Sequence, residues 1–298
     1  MKWEGERESS NVEDRRGAGG GGFGGLGGRI GGRGIGVGTI AVALVAGWVF
    51  GVNPLTVLGM LAGDGGGAPA AQQQRVPSNQ PPANDSETRF VRTVLASTED
   101  VWNGVFKSGG SAGGGYQAPT LVMFRGATGT ACGTGQSAMG PFYCPGDRQI
   151  YIDLDFFDTL QRELGAPGQF AQAYVIAHEV GHHVQNLMGI TGKVDAMRGR
   201  GSQGDGNAMS VRVELQADCF AGVWASRSQQ AKGWLESGDI ESALNAAARI
   251  GDDALQRRGS GAVRPESFTH GSSQQRVSWF KRGFEAGNPN QCNTFEGV

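Results

Sequence analysis

His178, Glu179 and His182 are the residues of this chain whose types and spacing most plainly serve chemistry. The two histidines lie four residues apart, so on a helix both imidazoles leave one face and can grip a single metal ion. Glu179 stands inside that His-Glu-x-x-His pentapeptide, where a general base is wanted beside a metal-held water. The chemistry implied is metal-assisted hydrolysis. A catalytic zinc takes three protein ligands and keeps one position open, and two His with one Glu form a working set. Glu214 is the candidate third ligand. Asp218 lies one turn further along the same face, where it can accept the second ring N–H of a ligand histidine and fix its tautomer. Val213, Leu215, Ala217, Phe220, Ala221 and Trp224 surround these carboxylates, and an unpaired charge among them would be costly.

Two further histidines complete the set. His183 follows His182 by one residue, which rotates it about 100° from the metal face, so a packing or supporting role is expected. His270, just ahead of a helix, is the candidate donor to the oxyanion that develops in acyl transfer. Arg276 competes for that task, or for binding a substrate carboxylate. The four cysteines form no Cys-x-x-Cys pair, which argues against a structural zinc finger. A net charge of -2 gives no reason to expect nucleic acid as a partner.

The elements that must position these groups occupy only part of the chain. Glycine makes up 53 of 298 residues, and the run from Gly17 to Gly34 is nearly all glycine. That density loses too much backbone entropy on folding to build a core. Residues 34–61 carry no charge and are rich in Ile, Val, Ala and Leu, enough chain for a transmembrane helix. Arg29 and Arg33 precede this stretch and Asp64 follows it, which orients the N-terminus to the cytoplasm and the remainder outside. Residues 62–84 are a Gly/Ala/Gln/Pro linker. The expected order is therefore a charged and Gly-rich cytoplasmic tail (1–33), a span (34–61), a linker (62–84) and a folded domain (85–298).

Within that domain, helices are expected over 86–106, 156–164, 169–187, 208–230 and 238–256, with a last one opening at Ser272 or Ser273. Residues 119–124 and 149–154 read as strands. Cys132 and Cys144 flank a Gly-rich turn with Pro141, which suits a local disulfide, and Cys292 is placed to reach Cys219 unless the latter is a buried thiol.

The segments HEVGHHVQN (178–186), VELQADCFAGVWA (213–225), THGSSQQRVSWFKRGF (269–284) and KWEGERESSNVEDRRG (2–17) together resemble the neutral zinc metallopeptidase family of bacterial membrane-anchored proteins. The likeness runs over nearly the whole chain. One departure at the N-terminus is Glu6-Arg7-Glu8, where related proteins usually carry a more basic run. The resemblance implies an α+β, zincin-like domain, mainly helical with a small β-region, preceded by one transmembrane helix. It further implies zinc held by His178, His182 and Glu214, with Glu179 polarising water and Asp218 orienting a ligand histidine. By the same analogy, strand Gln149–Leu154 is the edge on which an extended peptide pairs, with Tyr151 and Asp153 facing the cleft. The expected protein is a single-pass zinc endopeptidase of the bacterial cytoplasmic membrane. It would meet the lipid bilayer through 34–61 and peptide or protein substrates outside. The competing expectation is an envelope protein that keeps zinc for stability and binds peptides or partner proteins without cleaving them. Glu179, useless to a purely structural zinc, favours the enzyme.

Overall fold

Gln149–Asp153 alternates like a half-buried strand, yet all five of its residues are buried. The reason is its place in the sheet. The computed structural model describes residues 1–16, 85–109, 115–136, 140–198 and 202–296. Its strands are β1 (Val12–Asp14), β2 (Thr120–Phe124), β3 (Ala127–Thr130), β4 (Gly133–Gln136), β5 (Phe142–Cys144) and β6 (Gln149–Asp153). One sheet has the order β1-β2-β6-β5, while β3 and β4 form a separate hairpin. β2 runs parallel to both β1 and β6, and β5 is antiparallel to β6 with Phe142 opposite Tyr151.

The period of two sorts this sheet into two apolar faces. Leu121, Met123, Ile150 and Ile152 enter the main core, whereas Val122, Phe124 and Tyr151 join Cys144 and Phe142 on the other side. β6 is thus central, and the sheet edge beside the helices is β5. That corrects the expectation for Gln149–Leu154. Tyr151 bonds through its hydroxyl to Asp147 and Gln149, and Asp153 accepts from the backbone N–H groups of Gly126 and Asp155. Neither lines the cleft described below.

Eight α-helices follow or interleave with these strands among the described residues: α1 (Ser86–Lys107), α2 (Asp155–Arg162), α3 (Gln169–Leu187), α4 (Ile190–Arg198), α5 (Gln203–Lys232), α6 (Asp239–Arg249), α7 (Asp252–Gly259) and α8 (Ser273–Ala286). The result is mostly helical with a small mixed sheet, consistent with a zincin-like domain. α1 opens on Asp85, which accepts from the Thr88 N–H at 2.8 Å. Reciprocal caps start α5 at Ser202 with Asp205 and α8 at Ser272 with Gln275. The first cap extends α5 into glycines that composition alone reads as loop.

Glycines also decide where α5 and α8 touch. A Cβ on Gly283 would lie 1.9 Å from the Cys219 carbonyl oxygen, and one on Gly222 would lie 2.1 Å from that of Phe280. The helices therefore meet backbone to backbone. Cys219 pairs with Cys292 beside this contact, and Cys132 with Cys144 ties the β3–β4 turn to β5. The expected helix over 238–256 is broken into α6 and α7 at Gly251, whose backbone is extended (φ -67°, ψ 144°). The missing side chain there also lets the start of α8 come close, since a Cβ would lie 2.5 Å from the Ser273 nitrogen.

The opening residues join the folded domain that was expected over 85–298 alone. β1 lies along β2, with the Leu121 N–H bonded to the Asn11 carbonyl at 2.8 Å and the Arg15 N–H to that of Met123 at 2.8 Å. Trp3 and Val12 are buried in the main core, and Trp3 meets Phe90 edge to face at 5.5 Å. Glu6, Arg7, Glu8 and Arg16 of this segment pair with Lys232, Glu99, Arg89 and Asp85 of the domain. The glycine run, the span at 34–61 and the linker up to residue 84 lie outside the described residues. Among the described residues no helix is long and apolar enough to cross a membrane.

Candidate metal centre

α3 presents His178, Glu179 and His182 while α5 presents Glu214 and Asp218, and the two helices meet where a side chain is missing. A Cβ on Gly181 would lie 3.0 Å from the Ala217 carbonyl oxygen, so its absence lets the α5 backbone settle on the motif helix. Glu214 sits about one turn earlier. His178 Nε2 consequently lies 3.1 Å from Glu214 Oε2, and His182 Nε2 3.4 Å from Glu214 Oε1. Ligand atoms about 2.0–2.1 Å from a tetrahedral zinc stand roughly 3.3 Å from one another. The three side chains match that spacing, each offering a ligand atom within 4.8 Å of the others.

Their hydrogen bonds point to a cation at the same place. His178 Nδ1 lies 2.9 Å from Asp218 Oδ1, and His182 Nδ1 lies 2.9 Å from the Gln185 amide oxygen. Each ring donates its Nδ1 proton there, which turns both Nε2 lone pairs toward the Glu214 carboxylate. With both rings neutral, three acceptors converge with no hydrogen between them. This donor set fits zinc. The same demand for positive charge is felt by His178: burial opposes its protonation, but Asp218 and Glu214 raise it to about 10. Burial likewise opposes ionisation of Glu214, yet His182 and His178 hold it well below the ordinary carboxylate range.

Asp218 is itself fully buried and held from three sides. Arg276 donates from Nε to its Oδ2 at 2.9 Å and from Nη2 to its Oδ1 at 3.0 Å, and the Tyr174 hydroxyl donates to Oδ1 at 2.5 Å. Arg276 is therefore committed to Asp218 and not free to stabilise an oxyanion, which removes it from that competition. Replacing it by Met should leave the buried Asp218 carboxylate with only Tyr174 and His178 to hold it, lowering zinc affinity about 10–100-fold. Competition with a chromophoric chelator measures this, and Arg276→Lys should recover part of the loss.

One cleft of about 800 Å³ is lined by His178, Glu179, His182, Glu214, His270 and Arg276, with Phe142 and Tyr143 of the β5 edge along one wall. Phe156, Val175, Ile250 and Leu255 make its apolar lining. His270 is thus brought to the metal cluster, and half of its side chain is exposed. Asp252 fixes it. One Asp252 oxygen accepts the backbone N–H groups of Thr269, His270 and Gly271 at 2.7, 2.6 and 3.0 Å, while the other lies 3.2 Å from His270 Nδ1. Asp252 occupies the start of α7, a position that exists because the chain breaks at Gly251.

His183 is turned away, as its one-residue offset requires. Its Nε2 donates to the Gln117 carbonyl at 2.6 Å and its Nδ1 faces the Tyr143 hydroxyl at 3.2 Å. Burial lowers its pKa to about 4, so it stays neutral and pins β5 to α3. Gln185 and Asp252 escaped the motif reading. The signal for Asp252 was Gly251-Asp252-Asp253 inside an otherwise helical run; for Gln185 it was a polar residue one turn after His182.

Comparison with known proteins accords with this centre. A family model described as "Putative neutral zinc metallopeptidase" matches residues 1–295. The chain is 54% identical over 296 residues to "Uncharacterized protein YpfJ" of Escherichia coli K12, covering 99% of both chains. It is 43% identical over 220 residues to "Uncharacterized protein Rv2575" of Mycobacterium tuberculosis, covering 70% of this chain and 72% of that one. No solved structure matches it.

Proposed function

The chain belongs to the neutral zinc metallopeptidase family, and on that premise we propose that it is a zinc-dependent endopeptidase acting on peptide or protein substrates. The observation that carries this reading is Glu179, a buried carboxylate beside three converging metal-ligand side chains at an open cleft. A structural zinc has no use for it. Zinc bound by His178, His182 and Glu214 would supply Lewis acidity, bringing the pKa of a water to about 7 and polarising the scissile carbonyl.

Everything else is done by the chain's own side chains. Glu179 takes the proton of the attacking water and returns it to the leaving amine. Burial pushes its carboxyl above the ordinary range against the pull of His182 and His178, which makes it a stronger proton acceptor. Asp218 holds His178 in the tautomer that keeps Nε2 free for the metal. His270 donates to the developing oxyanion. An extended substrate would pair along β5, the sheet edge whose Phe142 and Tyr143 line the cleft. We place this activity on the outer side of a bacterial cytoplasmic membrane, with 34–61 as the membrane attachment. The two disulfides support that compartment.

The role of His270 sets a pH dependence. Burial disfavours its charge, but the Asp252 hydrogen bond and nearby Glu214 outweigh that and raise its pKa, with Arg276 pulling the other way. The charged donor is present below that raised pKa and is lost as pH rises through it. The alkaline limb of kcat/KM should therefore follow the loss of the His270 charge. Asp252→Asn should move that limb toward acid, and His270→Ala should abolish it with a ~10²–10³-fold fall in kcat. A pH–rate profile of the three proteins checks this.

The proposal as a whole is tested by incubating the full chain with a library of unfolded peptides, before and after chelation. Internal cleavage that chelation stops and added zinc restores is the expected result. A protein that holds zinc, binds peptides and cleaves none of them is instead the non-enzymatic binding protein.

A further inference from the structure

We infer that the first sixteen residues and the metal-bearing domain lie on the same side of any membrane the chain meets. The charge rule applied to Arg29, Arg33 and Asp64 puts them on opposite sides. The packing of the N-terminal segment does not allow that.

β1 is a registered strand of the central sheet, with Val12, Glu13 and Asp14 opposite Leu121, Val122 and Met123. Further contacts hold the residues before it: the Lys2 N–H to the Trp234 carbonyl at 2.7 Å and the Ser9 N–H to that of Arg92 at 3.0 Å. Trp3 donates its indole N–H to Gln169 at 3.1 Å, and Glu6 pairs with Lys232 at 2.9 Å. Groups in such contact cannot be divided by ~30 Å of hydrocarbon.

The domain also needs this segment. Glu99 of α1 is a buried carboxylate whose hydrogen bonds come from Arg7 at 3.0 Å, Ser9 at 2.6 Å and Asn11 at 2.8 Å. Without residues 7–11 that charge would be left in the domain interior with its donors gone, a strongly destabilising arrangement. β2 would likewise become an unprotected sheet edge. The N-terminal segment and residues 85–296 therefore fold as one body, and the family match begins at residue 1.

The test uses the full chain in its native membrane, with a reactive cysteine at one of two exposed positions, Ser10→Cys or Arg258→Cys. A membrane-impermeant maleimide is applied to spheroplasts and to lysed cells. Both cysteines should behave alike, labelled together in spheroplasts if outside or protected together until lysis if inside. Labelling of one with protection of the other overturns the inference. A second readout needs no variant: water-soluble carbodiimide on wild-type membranes should join Glu6 to Lys232, seen as a linked peptide pair. Its absence from a digest that recovers both parent peptides counts against the inference. Neither readout involves zinc or cleavage, so each stands apart from the peptidase proposal.

Discussion

Glu179→Gln should keep its zinc and lose peptide cleavage by a factor of ~10²–10⁴. Gln occupies the volume of Glu, and Glu179 is not among the side chains whose ligand atoms converge on the metal position. What changes is the ability to accept a proton. The loss should fall on kcat with KM nearly constant, since the interaction is made on the way to the transition state. Removing a buried carboxylate that His182 and His178 only partly compensate should also leave folding unharmed or slightly improved. Steady-state kinetics with metal analysis on the same sample decides it. A variant that cleaves like wild type removes Glu179 as the base while leaving the fold intact.

The second large effect lies at the contact between α5 and α8. Gly283→Ala adds one methyl where 1.9 Å separates the new Cβ from the Cys219 carbonyl oxygen. The nearest atom is helix backbone, so α8 must move from α5 by roughly 1 Å, at the upper end of overpacking costs, about 3 kcal/mol. For a domain of this size that corresponds to a fall in Tm of roughly 6–12 °C. The displacement reaches the metal centre as well. α8 carries Arg276 and α5 carries Asp218, whose two contacts at 2.9 and 3.0 Å depend on this helix spacing. Zinc affinity should drop with stability. Gly104→Ala is the control, since a Cβ there meets nothing within 4 Å on a helix, and it should be neutral or mildly stabilising. Equal melting of the two variants would show that the α5–α8 contact is not set by the glycine.

The difference between these sites explains what the sequence could disclose. His178, Glu179 and His182 are neighbours on one helix, and Glu214 and Asp218 on another, so helical period alone gathers each group. The Ser272 cap was legible for the same local reason. β1 was not, because a three-residue strand with one apolar side chain, Val12, has no periodicity, and its partner lies over a hundred residues away. Asp252 was hidden by the regular spacing of Ile240, Leu244, Ala247 and Ile250, which gives no hint that Ser273 presses on Gly251. The central place of β6 was concealed differently. Its polar-looking face, with Tyr151, is covered by Val122 and Phe142, residues that only the sheet order brings there. In each case the missing information was a long-range contact.

The central claim is that His178, His182 and Glu214 hold one zinc ion for chemistry. Metal analysis of the purified full chain and of its Glu214→Ala variant tests it most directly. The account predicts about one zinc per wild-type chain and almost none in the variant, with both folded by circular dichroism. A folded wild type that takes up no zinc, or a variant that retains it in full, would contradict the account.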